Sequence, residues 1–298
     1  MSDTWPAKLP LVLVIGATGR TGRHVVDGLL SHGAAVRALV RDPSTASLPE
    51  RVQVVPGDLD SAASVAAAAK GADAAFLLWH SFESAGGQDV VAALSSHVRH
   101  LTYLSAGRLN PETGRQTVAP GVWAEIEAII ERAPVTHTFI RGGGFAVNTL
   151  AWAEQIRRSD TVRMPYPQAA RPLVDERDLA ELAVYGLLEA SMVGESVFAT
   201  GSQTLTPAQQ LQTIGTAIGR RLTAVEQSRD EAAAALGGGP FADASLDYWA
   251  GLVANPEAPH DGIRQVLGHP ARSFADWAQF HADDFTGGVA DRRARLQH

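Results

Sequence analysis

The 298-residue chain contains no cysteine. Disulfides, thiolate metal sites and cysteine nucleophiles are therefore excluded together. No apolar run approaches the roughly 20 residues needed to cross a bilayer. No basic region precedes the short apolar stretch near the N-terminus, so that stretch reads as a strand and not as a secretion signal. A cytoplasmic protein is expected. Net charge is −7, and the one basic run is Arg292-Arg293-Ala294-Arg295. A nucleic-acid groove needs clustered cations to displace counterions from phosphates, so neither nucleic acid nor a membrane is an expected partner. The ten histidines are scattered without the i, i+4 or short-spaced clusters that metal sites favour, and no metal is expected.

What is present is concentrated between Leu11 and Gly22. A run of branched apolar residues, Leu11 to Ile15, ends in Gly16, Gly19 and Gly22, spaced G-x-x-G-x-x-G. An amphipathic segment follows, with Val25, Val26, Leu29 and Leu30 on one face and Gly33 closing it. The pattern predicts a buried parallel strand, a tight turn and a helix N-terminus. Glycines let the backbone turn sharply and admit an anionic ligand to the peptide N–H groups, and the helix dipole adds about half a positive charge there.

Further strands are expected over 35–40, 52–55, 74–79, 98–105 and 135–141. They are separated by helices starting at Asp60 or Ser61, around 89–96 and over 122–132. Alternating strands and helices imply a doubly wound parallel sheet, a Rossmann-type α/β fold, with its ligand above the strand C-termini at the switch point. Residues 9–148 are expected to form this core, with parts of 172–200 returning to it. Residues 149–285 would form a smaller, mainly helical substrate-side annex; past Arg141, helices are expected over 145–155, 175–189, 207–219, from Ser228 to Gly237, 241–253 and 273–285, and a strand over 196–199. Residues 1–8 read as a frayed lead-in and 286–298 as a loose tail.

An NAD-specific unit ends its second strand in an acidic residue that grips the ribose hydroxyls. Here Arg41 occupies that corner and Arg20 lies inside the glycine loop, with Asp42 one residue on. Two guanidinium groups favour a 2′-phosphate, so NADP(H) is expected over NAD(H). Thr18 and Thr21 complete the loop. Asp58 and Leu59 after strand three, and Leu78 and Trp79 after strand four, fall at successive strand ends along the same edge and are further cofactor candidates.

These motifs, Gly16 to Gly22, Val40-Arg41-Asp42-Pro43 and Gly57-Asp58-Leu59, resemble the NmrA-like branch of the atypical short-chain dehydrogenase/reductases. Similar segments recur downstream: Glu127, Thr138 to Arg141, Gly144-Phe145 with Asn148, Leu173 to Asp175, Arg177 to Ala180, Leu205 to Pro207 and Phe274 to Trp277. The resemblance implies NAD(P)H-dependent reduction of quinones or carbonyls, or a redox-sensing regulator acting through a protein partner. It also implies a tyrosine–lysine pair for proton transfer. Counting back from Glu127, the lysine position holds Trp123 and the tyrosine position Ala119. Nucleotide-sugar epimerases share the fold but depend on that missing pair. The reductase reading therefore needs an acceptor that takes hydride with little acid catalysis, such as a quinone. Ser105, at the family's serine position, and His80 after strand four are the candidate catalytic groups. Trp123, Phe145, Tyr166 and Trp249 are candidate walls for an aromatic substrate.

Overall fold

The structure, a computed structural model, describes residues 9–110 and 113–287. The expected lead-in over 1–8 lies outside them, as does the expected tail over 286–298 from residue 288 on, with its basic run; Thr286 is not tail but the last residue of a helix that Gly287 closes. The apolar run Leu11–Ile15 forms β1, and the segment after the glycines forms α1 (Arg20–Ser31), with Val25, Val26, Leu29 and Leu30 buried. There follow β2 (Ala35–Val40), β3 (Gln53–Pro56), α2 (Ala62–Ala69), β4 (Ala74–Leu78) and α3 (Gly87–Ser95). Ser61 caps α2, its hydroxyl accepting from the Ser64 amide. Then come β5 (His100–Leu109), β6 (Gln116–Val118), α4 (Val122–Arg132) and β7 (Thr136–Gly142). β5 continues past Ser105 because β6 pairs with its end in antiparallel fashion, Gly107 opposite Val118.

After β7 the helix expected over 145–155 is instead a 3₁₀ segment, Ala146–Trp152, followed by α5 (Ala153–Arg158). The Thr149 hydroxyl donates to Ala146 O at 2.8 Å, a local bond that competes with the regular helical ladder. β8 (Thr161–Met164), α6 (Glu176–Leu188), β9 (Ser196–Ala199), α7 (Pro207–Ala217), β10 (Thr223–Glu226) and α8 (Arg229–Ala235) come next. The described chain closes with α9 (Gly239–Ala254), α10 (Gly262–Leu267), α11 (Phe274–Phe280) and α12 (Ala282–Thr286). Thr206, Ser228 and Ser273 open α7, α8 and α11 with reciprocal capping boxes to Gln209, Glu231 and Asp276.

Two compact units result. The first holds the chain up to Gly143, Glu176–Thr200 and Asp261–Pro270; the second holds Gly144–Asp175, Gly201–His260 and the chain from Ala271. The division falls at 143/144 and not at 148/149 because hydrogen-bond partners change there. The Gly143 amide donates to Ala199 O of β9, whereas Gly144 O accepts from the Val174 amide. The segment carrying α10, expected in the annex, belongs to the first unit, where it packs on α6 and β9.

In the first unit the strand order is β3-β2-β1-β4-β5-β7-β9, parallel throughout, with β6 joined to β5. This is a doubly wound sheet whose order reverses between β1 and β4. Leu13, Leu77, Leu101, Tyr103 and Phe139 meet Val65, Leu94, Ile126 and Ile130 in one core. The second unit is mainly helical but contains a parallel pair, β8 with β10. Its core gathers Ile156, Val162, Leu211, Ile214, Trp277 and Phe285.

His100, at the start of β5, is fully buried. Its imidazole lies 3.0 Å from both Thr136 Oγ1 and Gly186 O. Burial, the largest influence, pushes its pKa from 6.5 down to about 4. The folded chain thus stays neutral at His100 while the unfolded chain takes up a proton as pH falls below 6.5. Stability should accordingly rise with pH between about 4 and 6.5, by roughly 3 kcal/mol across that window, and be insensitive to this group above it. Urea denaturation at pH 4.5 and 7.5 on the wild type and His100→Gln measures it. The variant should lose much of the pH slope.

Candidate dinucleotide and substrate site

The loop after β1 is closed by backbone. The Gly19 amide donates to Gly16 O at 2.9 Å, and Gly16 sits at φ +82°, which favours glycine. A Cβ on Gly22 would lie 2.0 Å from Gly16 O and 2.7 Å from its carbonyl carbon; a Cβ on Gly19 would lie 3.0 Å from the same oxygen. Helix α1 therefore starts directly against the strand end, with no side-chain cap and no acidic residue in its first turn. Thr18, Gly19 and Arg20 are exposed at this terminus, while Thr21 and Gly22 are buried within it. The cradle fits a pyrophosphate: unscreened amides, the positive end of a three-turn helix, and no Cβ in the way.

The neighbouring strand ends of the same unit carry the other predicted residues. Arg41 is exposed after β2. Asp42 is held by Ser44, whose amide and hydroxyl donate to its carboxylate at 2.9 and 2.6 Å, and these bonds lower its pKa. It is engaged as a cap of the next turn. Asp58, after β3, accepts from the Asp60 amide at 3.1 Å, and its own amide donates to Ser64 Oγ at 2.9 Å. Leu59 is buried. Leu78 ends β4 against the glycine loop, its Cβ 3.4 Å from where a Gly16 Cβ would be. Trp79 donates its indole N–H to Glu83 O at 2.9 Å. His80 is half exposed, stacks on Trp79 at 6.1 Å between centroids, and pairs through Nε2 with Asp60 at 2.9 Å.

Ser105 does not end its strand but lies midway along β5, one residue past the pairing with β4; it is 1% exposed, and its Oγ has no hydrogen-bond partner among the described residues. Tyr103, two residues earlier and so on the same face of the strand, is likewise buried with an unpartnered hydroxyl. Burial, and secondarily the Glu127 charge, push the Tyr103 phenol pKa up, which keeps it a neutral donor. Strand alternation from Ser105 was the signal that could have singled out Tyr103; nothing in its immediate sequence does. The Ala119 amide donates to Ala106 O at 2.8 Å, bringing the end of β6 alongside Ser105. Trp123, in the first turn of α4, is partly buried against the core of this unit. Glu127, one turn further, forms a two-pronged pair with Arg141 at 3.0 and 2.5 Å, both side chains largely buried. Arg141 is the register partner of Ser105 across β5 and β7.

The NmrA-like family matches the chain over residues 9–236. The chain belongs to this family. Among NmrA-like relatives, the (4-alkanoyl-5-oxo-2,5-dihydrofuran-3-yl)methyl phosphate reductase of Streptomyces griseus is 32% identical over 281 residues, 92% of this chain and 99% of the relative. The NAD(P)H azoreductase of Xenophilus azovorans is 29% identical over 293 residues, with the same coverage of each chain. In fold, the chain is similar to an NADPH-dependent quinone oxidoreductase from Escherichia coli solved with NADPH, at a TM-score of 0.73 and 21% identity, over 90% of this chain and 99% of that one.

The remaining predicted walls, Phe145, Tyr166 and Trp249, belong to the second unit, whereas Trp123 belongs to the first. All three are partly buried. Tyr166 stands at φ +46°, the single positive value among described non-glycine residues, and its hydroxyl takes a 3.4 Å hydrogen bond from Arg229. Within the second unit Gly144 gives way to the Arg171 guanidinium, which lies over the Tyr248 ring at 5.1 Å and pairs with Glu257 at 3.5 Å. That cluster ties three segments together. No group of three or more metal-ligating side chains occurs among the described residues, and no helix there is long and apolar enough to cross a membrane.

Proposed function

We propose that this NmrA-like chain is an NADP(H)-dependent reductase of small planar acceptors of the quinone or conjugated-carbonyl class, with Ser105 bonding the acceptor oxygen. The observation that carries the reading is the buried, unpartnered Ser105 Oγ in the same unit as an open glycine cradle. An isolated buried hydroxyl costs about 1–3 kcal/mol unless something bonds it, so a ligand oxygen that takes its hydrogen recovers that cost. The nicotinamide cofactor supplies the hydride when bound. The glycine-loop amides would hold its pyrophosphate, Arg20 and Arg41 its 2′-phosphate, and Asp58 its adenine edge. Ser105 then stabilises negative charge developing on the acceptor oxygen, which water protonates. An acceptor of this class needs no strong acid beforehand, and this suits Ala119 and Trp123 at the positions of the missing pair. His80 is engaged with Asp60, which leaves the role to Ser105. Both curated relatives are named as reductases, which supports turnover over a purely sensing role.

Purified protein should oxidise NADPH in the presence of quinones. Ser105→Ala should lower kcat/KM at least about tenfold while leaving NADP⁺ affinity unchanged. A panel of quinones, enones, azo compounds and aldehydes that leaves NADPH untouched would overturn the reading. The cofactor preference is tested separately. Arg41→Ala should weaken NADP⁺ binding about tenfold, the worth of one charge-assisted hydrogen bond, and leave NAD⁺ binding within twofold. Equal losses for the two cofactors would remove Arg41 from the phosphate site.

A further inference from the structure

Two buried hydroxyl oxygens among the described residues have no hydrogen-bond partner, and both stand on one strand, at Tyr103 and Ser105. Native interiors seldom strand such a group, and two of them at neighbouring positions of one strand face call for a shared explanation. The residues are 0% and 1% exposed. Their Cα atoms stand about 7 Å apart along the strand. The hydroxyls do not bond each other.

The same face carries the buried ion pair. Across β5 and β7, Tyr103 lies opposite Phe139 and Ser105 opposite Arg141. The Tyr103 and Phe139 rings meet edge to face at 6.4 Å, and the Arg141 guanidinium carbon lies 5.8 Å from the centre of the Phe139 ring. Both Glu127 oxygens take a bond from that guanidinium, at 3.0 and 2.5 Å. Each carboxylate oxygen can accept a second. The Glu127 charge also adds to burial in pushing up the Tyr103 pKa, so it acts on the phenol. Phenol, serine and carboxylate thus belong to one buried cluster between β5 and α4.

We infer that Tyr103 is a positioning residue: its hydroxyl and Ser105 Oγ share one internal water, which aims the serine hydrogen at the acceptor oxygen. The inference rests on the reductase reading and adds to it the group that orients Ser105. The neutral phenol donates to the water, and the water donates to Ser105 Oγ and to the Glu127 carboxylate. About three bonds of this kind are what a buried water ordinarily makes. The serine oxygen then accepts from within the protein, and its own hydrogen is left for the ligand.

Two measurements test it. A crystal structure of the wild type with NADP⁺, at a resolution that shows ordered water, should place one water within about 3.2 Å of both hydroxyls. Tyr103→Phe should lose that water. With a naphthoquinone as acceptor, Tyr103→Phe should lower kcat about fivefold, the worth of one hydrogen bond, and leave KM for NADPH within twofold. Because the tyrosine acts through the serine, adding Tyr103→Phe to Ser105→Ala should slow the enzyme by less than about twofold more. A tyrosine with a merely structural role would cost the same with or without Ser105. No water bonded to both hydroxyls, an unchanged kcat in Tyr103→Phe, or losses that multiply in the double variant would each overturn the inference. The shared water in place in a wild type that oxidises no NADPH would overturn the reductase reading and leave the water's hold on Ser105 standing.

Discussion

Gly22→Ala should abolish dinucleotide binding, with NADP⁺ affinity falling by more than about a hundredfold, and should also lower stability by about 1–3 kcal/mol. The added methyl would sit 2.0 Å from Gly16 O, 2.7 Å from Gly16 C and 3.1 Å from Ala17 Cα. All three atoms are backbone, so no side-chain rotation relieves the clash. Helix α1 must back away from the end of β1, and the amides at its N-terminus move with it. An amide hydrogen bond to a phosphate oxygen weakens steeply once distance and angle degrade, so displacement costs binding more than folding. Gly28→Ala, six residues along the same helix, is the matched control. Its Cβ would meet Val184 Cγ2 at 2.8 Å, the end of a branched side chain on α6, and the glycine cradle is untouched. That variant should change stability and leave the cofactor constant within twofold. Calorimetry of NADP⁺ binding with parallel thermal melts separates the two. Equal binding by Gly22→Ala and wild type would remove the glycine loop from the cofactor site.

The contrast between these glycines also marks what could be read in the sequence. G-x-x-G-x-x-G after an apolar run encodes the exclusion of Cβ atoms from one turn, so spacing alone carries the physics. The strands buried on both faces, Leu11–Ile15 and Ala74–Leu78, declare themselves as unbroken apolar runs. The short strands do not. Gln116–Val118 is polar and exists by pairing with the end of β5, and Thr161–Met164 and Thr223–Glu226 hold one another across more than fifty residues of chain. Their stabilisation is non-local, and local pattern is silent about it. The same holds at the site. Ser105 could be placed on the fifth strand, but not the strand's continuation past it to Leu109; that its hydroxyl has no partner among the described residues is a property of packing. Asp42 shows the converse. In sequence it is a carboxylate directly beside Arg41, yet in the structure it is engaged by Ser44 two residues on.

Glu127→Ala should be among the most destabilising single substitutions in the first unit, costing roughly 3–5 kcal/mol. Glu127 and Arg141 come from α4 and β7, and their side chains are 3% and 14% exposed. Gly107 permits the arrangement: a Cβ there would lie 2.8 Å from Arg141 Cβ. Removing the carboxylate leaves a guanidinium with little water, its carbon 5.8 Å from the centre of the Phe139 ring. The cost is mainly the stranded cation and not the lost attraction, which fixes how the variants should rank. Glu127→Gln keeps one acceptor and should lose less than alanine. Glu127→Leu combined with Arg141→Met removes both charges and should recover most of the loss, because two apolar groups of similar volume leave nothing unpaired. Urea denaturation of the three variants at 50 mM and 500 mM salt decides the matter. A buried pair predicts a large loss in the single variants, recovery in the double, and little change with salt. A loss below about 1 kcal/mol that shrinks further in high salt is the signature of a solvated pair, and would mean that α4 is held to β7 by its apolar face, Ile126 and Ile130, alone.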